Sequence, residues 1–348
     1  MQMIDYIIKQ NIGDVCKRFG HDFSSEEFLI SGGAGFIGSW LADVLLNLGA
    51  KVTCLDNLST GQTTNIDHLL SDSGFRFAQG DVISYSANEK YDYILHLASR
   101  ASPEEYQQHP IETLLANSLG SQKMLELTRK LDSRILYTST SEVYGDAQVV
   151  PTPEEYWGNV NPVGPRSCYD EGKRFGEALF MAYHREYDLD VRVARIFNTY
   201  GPRIRATDSY ARAVPKFIRQ ALADKPITVY GDGMQTRSFC YVVDTVLGIL
   251  MILMATNAEG EIVNIGGTQE ITVRDLASKI KMLTQSRSEI IFNPAPADDP
   301  KRRSPDISKA KRLVGWAPKF VLNDGLKTTI DWFRKNPKLV GKSPSEYL

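Results

Sequence analysis

Apolar and polar positions follow two alternating patterns through the first half of the chain. Short, mostly apolar runs at 28–30, 51–55, 75–80, 91–97, 134–139 and 190–196 have the length and character of strands covered on both faces. Between them, 40–48, 117–131 and the stretch carrying Tyr169 and Lys173 repeat their apolar residues at helical spacing, and Pro103 opens a further helical stretch. Strands that alternate with helices over short connections predict a doubly wound parallel sheet. Ahead of the first strand, Ile4, Ile7, Ile8, Ile12 and Val15 predict an amphipathic helix. Its apolar face suits either the body of the protein or a partner subunit, and the sequence does not choose between them.

After residue 200 the pattern loosens. A helix at 214–223, a strand at 227–230, a Gly-rich turn, a strand at 237–242 and a helix at 244–255 are followed by short strands, helices and Pro-rich loops. The expected organisation is an N-terminal extension (1–26), a dinucleotide-binding unit (27–200 with 239–266) and a smaller α+β substrate-binding lobe (201–238 with 267–340).

The first strand runs into Gly32, Gly35 and Gly38, the helix beginning near Trp40 follows, and the second strand ends at Asp56. This strand–turn–helix–strand unit is of the Rossmann type: glycines permit a tight turn and close approach of a pyrophosphate, and the helix start offers free N–H groups to that anion. Gly32, Gly35, Phe36 and Ile37 are the expected cradle. Asp56 and Asn57 stand where a carboxylate accepts ribose hydroxyls, and no Arg or Lys lies between Asp56 and Arg76, which favours NAD over NADP. Asp81 and Val82 close the third strand, where the carboxylate meets an adenine edge or caps a helix. Leu97 and Ala98 lead into the loop over the cofactor. His96 lies inside a strand and is expected to be a satisfied core histidine.

Composition removes several function classes. The chain has 348 residues, with 40 Lys+Arg against 42 Asp+Glu, a net charge of −2 that gives no electrostatic footprint for nucleic acid. Its four cysteines are widely spaced, with no CxxC and no histidine at metal spacing, so buried reduced thiols and no metal site are expected. No run reaches the ~18 apolar residues of a membrane span, and the first residues lack the pattern of a secretory signal.

Candidate chemistry concentrates in 136–177. Tyr169 and Lys173 are four residues apart on a helix and therefore share a face, where an ammonium favours the phenolate. Thr138, Ser139, Thr140, Ser141 and Glu142 lie at a strand end, where open α/β sheets bind ligands. By itself Glu142 reads as a turn carboxylate or a cap.

GGAGFIG, DNLSTG, STSEVYGD, YDEGK and NTYGPR together resemble the extended short-chain dehydrogenase/reductases that act on nucleotide sugars, over residues 28 to 335. Within that family, the run EEYWGNVNPVGPRSCYDEGKRFGEAL, with TVYGDGMQTRSFCYV and DDPKRRSPDISKAKRLVGW, resembles the UDP-glucuronic acid decarboxylases. The resemblance implies a cytoplasmic homodimer with retained NAD. It implies oxidation of UDP-glucuronate at C4, loss of carbon dioxide from the resulting β-keto acid, reprotonation at C5 and reduction to UDP-xylose. Tyr169 is then the base at the C4 hydroxyl. Lys173 holds the nicotinamide ribose and lowers the phenol pKa, and Thr140 hydrogen-bonds the C4 oxygen. Ser141, Glu142 and Arg303 handle the carboxylate and the proton at C5. Tyr106 reaches the carboxylate, Asn198, Arg237 and Arg303 hold the diphosphate, and Arg212 and Tyr230 line the nucleotide. Arg100 departs from the pattern, standing where relatives more often have Pro. The alternatives are a nucleotide-sugar 4-epimerase using the same Tyr, Lys and Thr, and a non-catalytic NAD-binding scaffold. A dehydratase is disfavoured because Ser141 stands where such enzymes carry Asp.

Overall fold

In the computed structural model, residues 4–87, 89–206, 212–296 and 298–340 are described. Part of the RATDSYARAVPKF stretch, residues 207–211, lies outside them. The chain begins with helix α1 (Ile4–Phe19). It then alternates β1 (Glu27–Ser31), α2 (Phe36–Asn47), β2 (Lys51–Asp56), β3 (Phe75–Gln79), β4 (Tyr93–His96), α3 (Pro103–Gln108), α4 (Pro110–Leu131), β5 (Arg134–Thr140), α5 (Ser167–Tyr187) and β6 (Val191–Ile196). A seventh strand, Ile262–Ile265, pairs with β6, and the sheet runs in the order Ile262–Ile265, β6, β5, β4, β1, β2, β3. All of its pairings are parallel.

The strand order reverses between β1 and β4, and the carboxyl ends there open a crevice for ligands. Both faces of the sheet are covered, which is why the strands read as near-continuous apolar runs. One face packs on α2 and the helix Val242–Met254 through Trp40, Leu41, Val246 and Leu250; the other packs on α4 and α5 through Met124, Leu125 and Phe180. Helix α1 lies on the body, with Ile8, Ile12 and Val15 buried, Arg18 paired to Asp244 at 3.1 Å and Asn11 bonded to the Tyr241 hydroxyl at 2.9 Å.

Helix α4 starts at Pro110, well before the stretch its apolar periodicity marks. The reason is that Ile111, Leu114, Leu115 and Leu119 are exposed, so the first half of this helix turns its apolar residues away from the core. Beyond β6, the strands Thr236–Ser238, Glu270–Thr272 and Arg302–Arg303 form a small mixed sheet. In it Arg303 is the parallel register partner of Arg237.

Candidate active site

A single cleft of about 560 Å³ runs from the turn after β1 to the Arg302–Arg303 strand. Each cofactor, catalytic and substrate residue expected from the sequence lines it, so the structure brings all of them together. Arg100, Arg166, Arg205 and Lys216, absent from that expectation, line it too.

At the cofactor end, Gly32 has φ +76, and a Cβ on Gly38 would stand 2.3 Å from the Gly32 carbonyl oxygen, so neither position accepts another residue without a shift. Gly35 precedes α2 and no side chain caps this helix, which leaves its first N–H groups open to the cleft. The Asp56 carboxylate accepts from Ala34 N (3.0 Å) and Leu58 N (2.8 Å), which fixes its orientation and leaves lone pairs for hydroxyl donors. Asp81 holds its own turn, accepting from Ile83 N at 2.9 Å, and binds Asn57 Nδ2 at 2.8 Å. An uncapped helix start, a glycine turn and an oriented carboxylate fit a dinucleotide.

His96 is a core residue. It hydrogen-bonds Ser31 (2.7 Å) and Ser121 (3.1 Å), and burial holds its pKa down at about 3.

Strand β5 ends at Thr140, whose hydroxyl accepts from Glu142 N (3.3 Å) and so caps the tight turn Ser141–Tyr144. Thr140 also hydrogen-bonds the Tyr169 phenol, and the Tyr169 ring stacks on Tyr106 with centroids 5.1 Å apart. Burial pushes the Tyr169 pKa up to about 12, against the pull of Thr140 and Arg212. The expectation that Lys173 lowers the phenol pKa is not met: the phenol is raised, and Lys173 takes a different place from the one the shared helix face implies. Its ammonium donates to the Thr138 carbonyl (2.9 Å) and lies over the Tyr137 ring (4.6 Å), while burial lowers its pKa to about 7. Helical spacing sets the direction of Cα–Cβ, but a buried ammonium at the end of four methylenes goes to the nearest free carbonyl. Ser139 turns from the cleft end towards Glu177 (2.5 Å), which is itself held by Arg195.

Glu142 is neither an exposed turn carboxylate nor a simple cap. Arg303 meets both of its oxygens, with Nη2 at 2.7 Å from Oε2, and Arg166 Nη2 lies 2.5 Å from Oε2. Burial alone would raise its pKa, yet the two guanidiniums outweigh burial and hold the carboxyl well below its usual range. Alongside, Arg237 donates to Asp299 (3.1 Å) and to the Thr236 carbonyl (2.9 Å), Asn198 to the Ser238 carbonyl (3.0 Å), and Arg212 to the Ala101 carbonyl (3.3 Å). Lys216 is buried with its ammonium 4.2 Å from the Tyr230 ring centroid. Arg100 is tied down by Glu105 (2.9 Å) and Glu112 (2.8 Å), two ion pairs that hold this loop in place.

Residues 28–266 match the NAD dependent epimerase/dehydratase family. The chain belongs to this family. UDP-glucuronic acid decarboxylase 1 of Xenopus tropicalis is 48% identical over 95% of the chain and 77% of its own length. The structure of epimerase Mth375 from Methanothermobacter thermautotrophicus superposes with a TM-score of 0.85 at 30% identity, covering 97% of this chain and 98% of that one. UDP-glucuronic acid 4-epimerase of Bacillus cereus, in complex with UDP-glucuronic acid and NAD, gives 0.81 at 30% identity over 89% of this chain and 99% of its own. For a member of the epimerase/dehydratase family, the glycine turn, Asp56, Tyr169 and Lys173 are the expected common equipment. At the other end of the cleft, the two arginines on Glu142 form a buried charge cluster.

Proposed function

We propose that the protein decarboxylates UDP-glucuronate to UDP-xylose. The observation that carries this reading is the arrangement of Arg166, Glu142 and Arg303 at one end of a cleft whose other end fits a dinucleotide, in a chain close to half identical to a UDP-glucuronic acid decarboxylase. Gly35, Phe36, Ile37 and Asp56 hold the pyrophosphate and adenosine ribose of NAD, with Asp81 and Val82 at the adenine. When bound, NAD supplies a reversible two-electron oxidation at the sugar C4, so the overall conversion has no net redox change.

The chain's own residues do the rest. Tyr169, whose phenol burial keeps protonated in the ligand-free site, would be favoured as phenolate by the positive charge of a bound nicotinamide; it takes the proton of the C4 hydroxyl and later returns it, with Thr140 holding the same oxygen. Lys173, anchored on Thr138, is placed to hold the nicotinamide ribose. Loss of carbon dioxide from the 4-keto sugar leaves an enolate with its charge on the C4 oxygen, where the Thr140 and Tyr169 hydroxyls donate to it. Glu142, kept ionised, opposes the substrate carboxylate, and release of neutral carbon dioxide relieves that opposition. Ser141 and Glu142 face C5, where the proton is added. Arg237, Arg303 and Asn198 receive the diphosphate, Arg212 and Tyr230 the nucleotide, and Tyr106 orders the Tyr169 ring by stacking. Residues 27–200 with 239–266 form the cofactor unit, and 201–238 with 267–340 the nucleotide-sugar lobe.

The exposed apolar residues on α4 (Ile111, Leu114, Leu115, Leu119) and Phe175 on α5 support a homodimer that pairs these helices, and the cytoplasmic placement expected from the sequence belongs to the same proposal. Among the described residues no helix is long and apolar enough to cross a membrane. Incubation with UDP-glucuronate and NAD, followed by NMR and carbon dioxide detection, tests the activity. UDP-xylose with one carbon dioxide per turnover is expected. A C4-inverted uronate without gas would establish the epimerase instead.

A further inference from the structure

The carboxylate end of the cleft contains a second layer. Arg166 immediately precedes α5, is buried, and faces Glu142 on its cleft side. Behind it, on the first turn of α5, stands Asp170, 6% exposed and outside the cleft wall. Its Oδ2 is 3.8 Å from Arg166 Nε, and its Oδ1 is buried with no hydrogen-bond partner. Arg303 Nε and the Tyr106 hydroxyl are also buried and unpartnered. Such groups are rare in a finished interior and mark a place where occupancy or charge changes.

The charges lead to the same place. Arg166 and Arg303 contribute two positive charges and Glu142 one negative charge. With Asp170 ionised the cluster is neutral, and with Asp170 protonated it keeps one positive charge, the complement of one incoming carboxylate. The groups acting on Asp170 are Glu142 from the turn after β5, Arg166, Arg303 from the small sheet and Glu171 on α5 itself. Helix α4 meets this turn of α5 through the neutral Asn117, and α3 through the Tyr106 ring. Burial first, then the Glu142 charge, raises the Asp170 carboxyl to about 7 against the pull of both arginines, so its charge is available to change near neutrality.

We propose that Arg166 and Asp170 form a charge-compensating pair for the substrate carboxylate: Arg166 is shared between Glu142 and that carboxylate, and Asp170 takes up one proton when the carboxylate binds. This rests on the decarboxylase reading, whose overall balance consumes one proton, UDP-glucuronate + H⁺ → UDP-xylose + CO2. The C5–C6 bond breaks, its electron pair enters the enolate, and C5 gains a proton. Asp170 takes that proton equivalent at binding and gives one up when the product forms, so the net charge of the occupied cluster is constant through turnover. Asp170 is a positioning residue that acts through Arg166.

The test is proton uptake on binding, measured by calorimetry at pH 7.5 in buffers of different ionisation enthalpy, with NAD present and Tyr169→Phe to stop turnover. UDP-glucuronate is expected to draw in roughly half to three quarters of a proton, since a carboxyl titrating near 7 is about three-quarters ionised at pH 7.5, and UDP-glucose none. Asp170→Asn added to Tyr169→Phe abolishes the uptake, and Asp170→Asn alone removes the rise in KM for UDP-glucuronate that the native protein shows above pH 7. The asparagine is isosteric and spares a disfavoured charge, so its melting temperature at pH 8 is expected to be unchanged or higher. Arg166→Lys keeps a charge without the fork and is expected to lower affinity for UDP-glucuronate about tenfold or more while sparing UDP-glucose. Equal uptake for the two ligands, or uptake that survives Asp170→Asn, overturns the pair. Proton uptake by the Tyr169→Phe protein together with no carbon dioxide release by the native protein overturns the decarboxylase reading alone.

Discussion

Glu142→Gln changes one charge and almost no volume, so its consequences follow from the two arginines that lose their partner. Arg166 and Arg303 are both buried, and three hydrogen bonds reach the Glu142 oxygens. Leaving buried charge uncompensated costs about 3–5 kcal/mol. The glutamine oxygen still accepts one bond and Asp170 can supply some negative charge, so the lower end, about 3 kcal/mol, is the expected loss. At about 2.1 cal/mol/K per residue, the 348 residues give an unfolding entropy near 0.7 kcal/mol/K, and the melting temperature should fall by about 4 °C.

The sign with pH is fixed as well. A folded carboxyl held below its unfolded value contributes stability that is present above pH ~4.5 and is lost as pH falls further. The native protein therefore has an acid limb in its stability curve that Glu142→Gln flattens. With ligand the order reverses. UDP-glucuronate returns a carboxylate to the freed arginines, so it should raise the melting temperature of the variant more than that of the native protein, while UDP-glucose raises both equally. Turnover loses the carboxylate opposite C6 and should fall about 100-fold or more. Differential scanning fluorimetry from pH 3 to 8 and carbon dioxide release read these effects. A variant that melts within a degree of the native protein and makes UDP-xylose at the native rate refutes the account of Glu142.

Tyr169→Phe should abolish turnover by about 100-fold to 10,000-fold while melting close to the native protein, because the stack on Tyr106 survives loss of the hydroxyl. Lys173 has a folded pKa of about 7, below its ordinary 10.5, so the unfolded chain binds more protons between those values. The stability of the ligand-free native protein should accordingly rise across pH 7–10 relative to Lys173→Met, measured by denaturant unfolding. Asp56→Asn should weaken NAD about tenfold or more by removing charge-assisted acceptance of ribose hydroxyls, measured by titration calorimetry. Leu119→Arg on the exposed face of α4 should leave a folded monomer by analytical ultracentrifugation, and a variant that sediments as a dimer would exclude that face.

The cofactor end was legible because its chemistry is local. A glycine turn, a helix start and a carboxylate at the end of the next strand follow one another within a single βαβ unit, and each is fixed by backbone geometry. The helical stretch opening at Pro103 was legible, but not that a second helix begins at Pro110 and runs unbroken to Leu131, since exposed Ile111, Leu114 and Leu115 break the rule by which buried faces are read. Arg166 carries no site signal of its own, yet Arg166, Tyr169, Asp170 and Lys173 follow the i, i+3, i+4, i+7 spacing of a single helix face. The charged and polar positions of that stripe were a signal that could have found it.

What no local pattern could supply is the meeting of Glu142 with Arg303, 161 residues apart. It depends on the Arg302–Arg303 strand pairing in parallel with Thr236–Ser238, which puts Arg303 beside Arg237 and turns both towards the end of β5. The same pairing explains why the two halves of the site differ in what they determine. Tyr169, Thr140 and Lys173 all belong to the sheet and its helices, so the part of the site proposed for the oxidation stands on one rigid framework. The proposed carboxylate end joins a turn after β5, the residue before α5 and a strand of the small mixed sheet, so its geometry depends on how the two sheets meet. A change at Thr236–Ser238 that slips this register by one residue would carry the Arg303 side chain to the opposite face of its strand, and should remove decarboxylation while leaving NAD bound.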